Sequence, residues 1–248
     1  LPVQAAHPAA FVTTNWSAVW AAKGPDTTAM RDALAGLCEK YWYPLYAYVR
    51  RQGHSPEDAQ DLTQEFFARL LEHHWLMRAD KAKGRFRSFL LMVIKRFLAN
   101  EWDKAKTQKR GGLIRFESFS YETAEAAYAT NATIRAPAAG TPELQFEREW
   151  ALALLGQVLR QLGDEYAKEG KGDLFGKAKP CLLGIREGES YAVLCAELGM
   201  TEAAFKMAVS RMRRRFRERL KTEVAKTVAS PADVDDELRH LFRVLARS

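Results

Sequence analysis

A chain of 248 residues with 47% hydrophobic content is long enough for two small cores and too apolar for wholesale disorder. Its formal net charge of +7 favours a polyanionic partner, and three scattered cysteines (Cys38, Cys181, Cys195) without a CxxC pair read as small core residues in a reducing compartment rather than as a disulfide framework. The opening LPVQAAHPAAFVTTNW has no basic segment followed by an apolar one, and no apolar run spans a bilayer, so the expectation is a cytoplasmic protein that is neither secreted nor in a membrane.

The start at Leu1 rather than Met reads as a trimmed chain, with 1–12 as a mobile N-terminus. An amphipathic turn from Trp16 stops at Gly24-Pro25. Asp26 or Thr27 then caps a helix whose stripe Leu34, Leu37, Tyr41, Leu45 and Val49 runs to Arg51, with a kink expected at Pro44. Ser55-Pro56-Glu57-Asp58 has the cap, the first-turn proline and the acids of a helix start, and that helix is expected to reach about His73. Its apolar face is Ala59, Leu62, Phe66 and Leu70; Asp58, Asp61 and Glu65 form an acidic ridge elsewhere on it. Adjacent His73 and His74 point in different directions on a helix and make a poor metal site, so no metal or other cofactor is expected.

Lys81–Arg110 holds ten Lys or Arg against two acids. Phe86, Phe89, Leu90, Val93, Ile94 and Phe97 claim one face, which sends the cations to the other, a combination suited to melted nucleic acid. Gly111-Gly112 ends this domain, and 113–141 reads as a linker with Phe116, Phe119 and Tyr121 as anchors. Thr141-Pro142-Glu143 starts a second helical domain, which Gly170 interrupts; the Gly- and Lys-rich 170–179 lacks a complete phosphate-loop pattern. From Glu189 to Leu220 two helices meet at Gly199-Met200-Thr201, and the second is loaded with arginine: a helix-turn-helix with a major-groove reader. Ser230-Pro231 then introduces a last helix, with Leu238, Leu241, Phe242 and Leu245 as its stripe.

Two of these stretches resemble bacterial RNA polymerase sigma factors of the extracytoplasmic-function (ECF) type. Asp58-Ala59-Gln60-Asp61-Leu62-Thr63-Gln64-Glu65-Phe66-Phe67 is similar to the polymerase-docking helix, with Gln60 where the family has a carboxylate and Thr63 where it more often has an aliphatic residue. Ser190-Tyr191, Leu198-Gly199, Thr201-Glu202, Lys206 and Arg211–Arg217 resemble the promoter-binding C-terminal region. The C-terminal helix and Asp61-Leu62-Thr63-Gln64 resemble a subgroup associated with serine/threonine kinases; packing of that last helix on the second domain is a compatible expectation.

The resemblance implies an all-α, non-enzymatic promoter-specificity subunit. Residues 13–112 form a sigma region 2-like domain, 113–141 a linker, 142–228 a region 4-like helix-turn-helix domain and 229–248 an extension. Asp58, Asp61, Thr63 and Glu65 are expected to face core RNA polymerase, through its beta-prime coiled coil with the beta subunit as further partner. Arg85, Arg87, Lys95, Arg96, Asn100 and Trp102 are expected to meet minus-10 DNA, with stacking and packing both open to Trp102. Thr201, Glu202, Lys206, Ser210, Arg211, Arg213, Arg214 and Arg215 are expected at minus-35 DNA: Lys206 and Arg211 at base edges or adjacent phosphates, Arg213, Arg214 and Arg215 mainly at phosphates. A kinase would modify Thr63. The competing reading is a stand-alone helix-turn-helix regulator that binds duplex DNA without polymerase.

Overall fold

The computed structural model describes residues 28–72, 85–105, 125, 126, 128, 129, 141–183, 191–228 and 230–246. Every regular element among them is helical. The segment from Trp16 to Gly24, the His73-His74 pair, Gly111-Gly112 and the anchors Phe116, Phe119 and Tyr121 lie outside the described residues. None of the described helices is long and apolar enough to cross a membrane.

The chain divides into two compact units, one made of 1–150 with 225–248 and the other of 151–224. In the first, α1 (Thr28–Arg51), α2 (Pro56–Glu72) and α3 (Phe86–Ala105) supply the core. Tyr41, Leu45, Tyr46 and Val49 from α1, Phe66, Phe67 and Leu70 from α2, and Phe86, Leu90, Ile94 and Phe97 from α3 are buried. Each such side chain contributes about 1.5–3 kcal/mol by leaving water. Aromatic edges lock the three together: Tyr41 meets Phe86 at 5.5 Å, Trp42 stacks on Phe67 at 6.0 Å, and Phe66 meets Phe97 at 5.8 Å between ring centres. Helix α1 continues through Pro44 to Arg51. Ser55 caps α2 as the sequence predicts, its Oγ accepting from the Asp58 amide at 3.1 Å.

Helix α4 (Pro142–Lys168) begins where Thr141 accepts from the Leu144 amide, and its residues up to Trp150 belong to the first unit. There Phe146 is fully buried and meets Tyr48 edge-on at 6.3 Å. The last helix, α8 (Val234–Ala246), also belongs to the first unit. It starts from a capping box in which Ser230 and Asp233 satisfy each other's backbone amides, and it buries Glu237, Leu238, Leu241 and Val244. This differs from the expected boundaries, which begin the second domain at 142, and from the expectation that the last helix packs on the second domain. These segments join the first unit through long-range contacts, apolar burial of Phe146, Leu238 and Leu241 together with ion pairs to Glu147 and Glu237, which no local pattern announces.

The second unit comprises the rest of α4, α5 (Gly172–Leu183), α6 (Tyr191–Glu197) and most of α7 (Glu202–Ala225). Leu162, Tyr166, Ala178, Leu194, Cys195, Phe205, Val209 and Met212 form its core. Gly163 permits the close approach of α4 to α5: a Cβ there would stand 2.9 Å from the Phe175 ring.

Candidate nucleic-acid interface

In the first unit the acidic ridge and the basic helix are distinct features. Asp58 and Asp61 on α2 are exposed and make no ion pair among the described residues. Glu65 is half-buried and paired with Arg69, which also holds Glu101 at 2.7 Å. Thr63 is fully buried, and its hydroxyl donates to the Ala59 carbonyl at 2.6 Å.

Along α3 the cations meet carboxylates from distant parts of the chain. Arg87 is only 1% exposed; its Nε donates to Glu147 at 2.6 Å, its Nη1 binds Glu237, and its guanidinium lies 4.4 Å from the Trp150 ring centre. Arg85 Nε stands 2.6 Å from the other Glu237 oxygen, an ionic contact outside hydrogen-bond alignment. Lys95, half exposed, meets Glu143 at 2.5 Å. That hydrogen bond holds the Lys95 ammonium above its ordinary pKa and the Glu143 carboxyl below its own. His240 of α8 lies 2.9 Å from Glu147. Arg96 and Asn100 are exposed, as is Trp102 at 62%.

Near the C-terminal end of α1, two linker residues dock. Glu125 accepts from Arg50 Nε at 3.2 Å and Nη2 at 3.0 Å and from the Tyr46 hydroxyl, while Arg50 sits 4.8 Å from the Tyr128 ring centre. These anchors were not expected from the sequence, which drew attention to Phe116, Phe119 and Tyr121 upstream.

In the second unit Gly199 turns the corner between α6 and α7 at φ +60, with Gly199 N–H donating to Ala196 O at 3.2 Å and Met200 N–H to Cys195 O at 2.9 Å, a complete left-handed helix stop. Thr201 then caps α7, accepting from the Ala204 amide at 3.2 Å. Beyond the cap, Lys206, Met207, Ser210, Arg211, Arg214 and Arg217 are all exposed at helical spacing along one side. Lys206 pairs loosely with Glu202, one turn earlier, at 3.1 Å. Arg213 donates to the Cys181 carbonyl at 2.8 Å but stays exposed, whereas Arg215 and Arg219 are held further in, Arg215 donating to Glu169 at 2.8 Å above the Tyr166 ring and Arg219 to Glu165 at 3.0 Å. Met207, which the sequence reading did not single out, shares this exposed face with Arg217, which it named only as part of the basic run.

Residues 37–108, which span the second half of α1 with α2 and α3, match the family model Sigma-70 region 2. Over that stretch the first unit is similar to a sigma-70 region 2 domain. Such a domain indicates a sigma factor, with RNA polymerase binding and transcription initiation as its business. None of the curated proteins and none of the solved structures matches the chain.

On the region 2 domain, the expected polymerase-facing residues split into an available pair, Asp58 and Asp61, and an engaged pair, Glu65 and Thr63. The expected minus-10 residues split likewise. Arg96, Asn100 and Trp102 face outward, whereas Arg85 and Lys95 carry a carboxylate apiece and Arg87 is enclosed. A phosphate cannot reach Arg87 while that enclosure stands.

Proposed function

We propose that the chain is a dissociable promoter-specificity subunit of bacterial RNA polymerase, of the ECF type and akin to its kinase-associated subgroup. The region 2 domain holds core polymerase and the minus-10 element; the helix-turn-helix unit binds the minus-35 element through the outward face of α7. The chain does no chemistry of its own. The observation that carries the reading is the Sigma-70 region 2 match over 37–108, followed downstream by a helix whose exposed row of Lys206, Arg211, Arg214 and Arg217 suits a polyphosphate groove.

Purified protein added to core polymerase should direct initiation from defined start sites, and Asp61→Lys should abolish core binding without unfolding the chain, because the exposed Asp61 carboxylate would be replaced by a cation facing a basic partner. A chain that binds duplex DNA unaided and never associates with core polymerase would be a stand-alone regulator instead. Activation by a serine/threonine kinase at Thr63 is part of the proposal. Phosphate there would add about two negative charges beside the ridge in which Gln60 stands in place of a carboxylate. Since the Thr63 hydroxyl is buried and bonded to Ala59, the kinase must act on a locally opened α2. Mass spectrometry of protein from its host, with core affinities of Thr63→Glu and Thr63→Ala, tests this; tight binding by unmodified protein and no phosphate at Thr63 would remove it.

A further inference from the structure

Two cations of α3 and one just before it are matched by three carboxylates that arrive from elsewhere in the sequence: Lys95 by Glu143, Arg87 by Glu147 and Glu237, and Arg85, the residue preceding the helix, by Glu237 again. The acids come from two elements only, the first turns of α4 and helix α8. Carboxylate oxygens at 2.5–2.6 Å from Lys95, Arg87 and Arg85 occupy the positions that phosphate oxygens would take on the same groups. We propose that the start of α4 and helix α8 form an intrachain carboxylate layer that masks the basic side of α3 from single-stranded nucleic acid. The inference rests on reading α3 as a nucleic-acid face, and it assigns to the C-terminal helix a regulatory contact with that face.

The layer is built to be released. Glu237 is completely buried and Arg87 almost so, so both charges have given up their hydration; the buried Arg87 Nη2 makes no hydrogen bond. Desolvation offsets much of the attraction in such a cluster, and rehydration on opening recovers it, so the pairing is weaker in net terms than its short distances suggest. The apolar cover is narrow, consisting of Leu238, Leu241 and Val244. Polyphosphate competes by supplying the same charge while releasing its own counterions. His240 sits against Glu147 at the same cluster, so the layer's charge is shared among α3, α4 and α8 rather than held by one pair.

The test uses the full chain and a fluorescein-labelled, mixed-sequence single-stranded DNA, with anisotropy titrations over a range of salt. Glu143→Gln and Glu237→Gln are each expected to tighten binding severalfold at low salt and to steepen the plot of log affinity against log salt by about 0.7 for each cation released. Glu57→Gln, the same charge change on an exposed residue of α2, should leave both quantities unchanged, and Arg96→Ala, which removes an exposed cation of α3, should weaken binding. If Arg96→Ala weakens binding while Glu143→Gln and Glu237→Gln change nothing, the mask is overturned and the nucleic-acid face stands. If Arg96→Ala is also without effect, α3 is not that face and both readings fall. Equal tightening by Glu57→Gln would reduce the effect to net charge and overturn the mask. Should circular dichroism show Glu237→Gln unfolded, Glu143→Gln decides alone, because its pair with Lys95 is partly exposed and dispensable for folding.

Discussion

Helices α3 and α7 both carry lysine and arginine beside an apolar stripe, yet they hold those cations in opposite ways. On α3 the cations at 87 and 95, and Arg85 just before it, are met by carboxylates 48 to 152 positions away in the chain, and one of the three cations is buried. On α7, Glu165 of α4 and Glu169 just past its end draw Arg219 and Arg215 inward and leave Lys206, Arg211, Arg214 and Arg217 on the outside. Positive charge in a sequence therefore marks candidate polyanion contacts, whereas the distribution of acids in the fold decides which cations are available for them.

The largest effect that would break this contrast is on stability. Arg87→Ala leaves Glu237 buried without its principal partner and should cost about 3–5 kcal/mol in urea unfolding of the full chain. Arg96→Ala, at an exposed position on the same helix, should stay within about 0.5 kcal/mol. Similar losses for both would show that Arg87 is not enclosed as described.

Binding to promoter duplex sharpens the other half. Lys206→Ala and Arg211→Ala should each weaken minus-35 binding by about 1–3 kcal/mol where they touch base edges, and should alter sequence preference. Arg215→Ala should do less, since Glu169 already engages that guanidinium; the hydrogen bond to Glu169 holds the Arg215 pKa above the ordinary arginine value. An Arg215→Ala defect equal to that of Arg211→Ala would contradict the inward assignment. Between α6 and α7, Gly199→Ala should cost about 1 kcal/mol in stability, because an L side chain resists φ of +60 even though the space around it is open.

Much of this molecule was legible in the sequence where the signal was local. Ser55, Thr141 and Thr201 act as caps, Gly199 turns the helix-turn-helix corner, and Tyr41, Leu45 and Val49 of α1 with Phe66 and Leu70 of α2 and Phe86, Leu90, Ile94 and Phe97 of α3 form the core, because capping and helical periodicity depend on residues within a turn or two. The candidate site was less legible. Glu143 and Glu237 read locally as first-turn acids that favour a helix N-terminus, a sufficient reason for their presence that conceals their second role as partners of Lys95 and Arg87. The affiliation of α8 with the first unit escaped for the same reason: an amphipathic helix announces that it needs a surface but not which one.

The smallest effect concerns the linker clamp, and it has a direction in pH. Burial by itself would raise the Glu125 carboxyl pKa, but hydrogen bonds from Arg50 and the Tyr46 hydroxyl outweigh it and bring the pKa below the ordinary glutamate value. A carboxyl with a depressed folded pKa stabilises the fold fully above its unfolded pKa, and that contribution disappears as pH falls through the lower folded value. Both partners of the Arg50–Glu125 pair are partly exposed, so solvent screening limits the contribution to about 1 kcal/mol or less. Glu125→Gln should therefore lower stability slightly at neutral pH and should match the parent chain at acid pH, where the parent carboxyl is protonated as well. The measurement is a pair of urea titrations at neutral pH and well below the glutamate range. A deficit in Glu125→Gln that persists unchanged in acid would mean that the clamp acts through packing, with Tyr128 against Arg50 as its main element, rather than through the charge on Glu125.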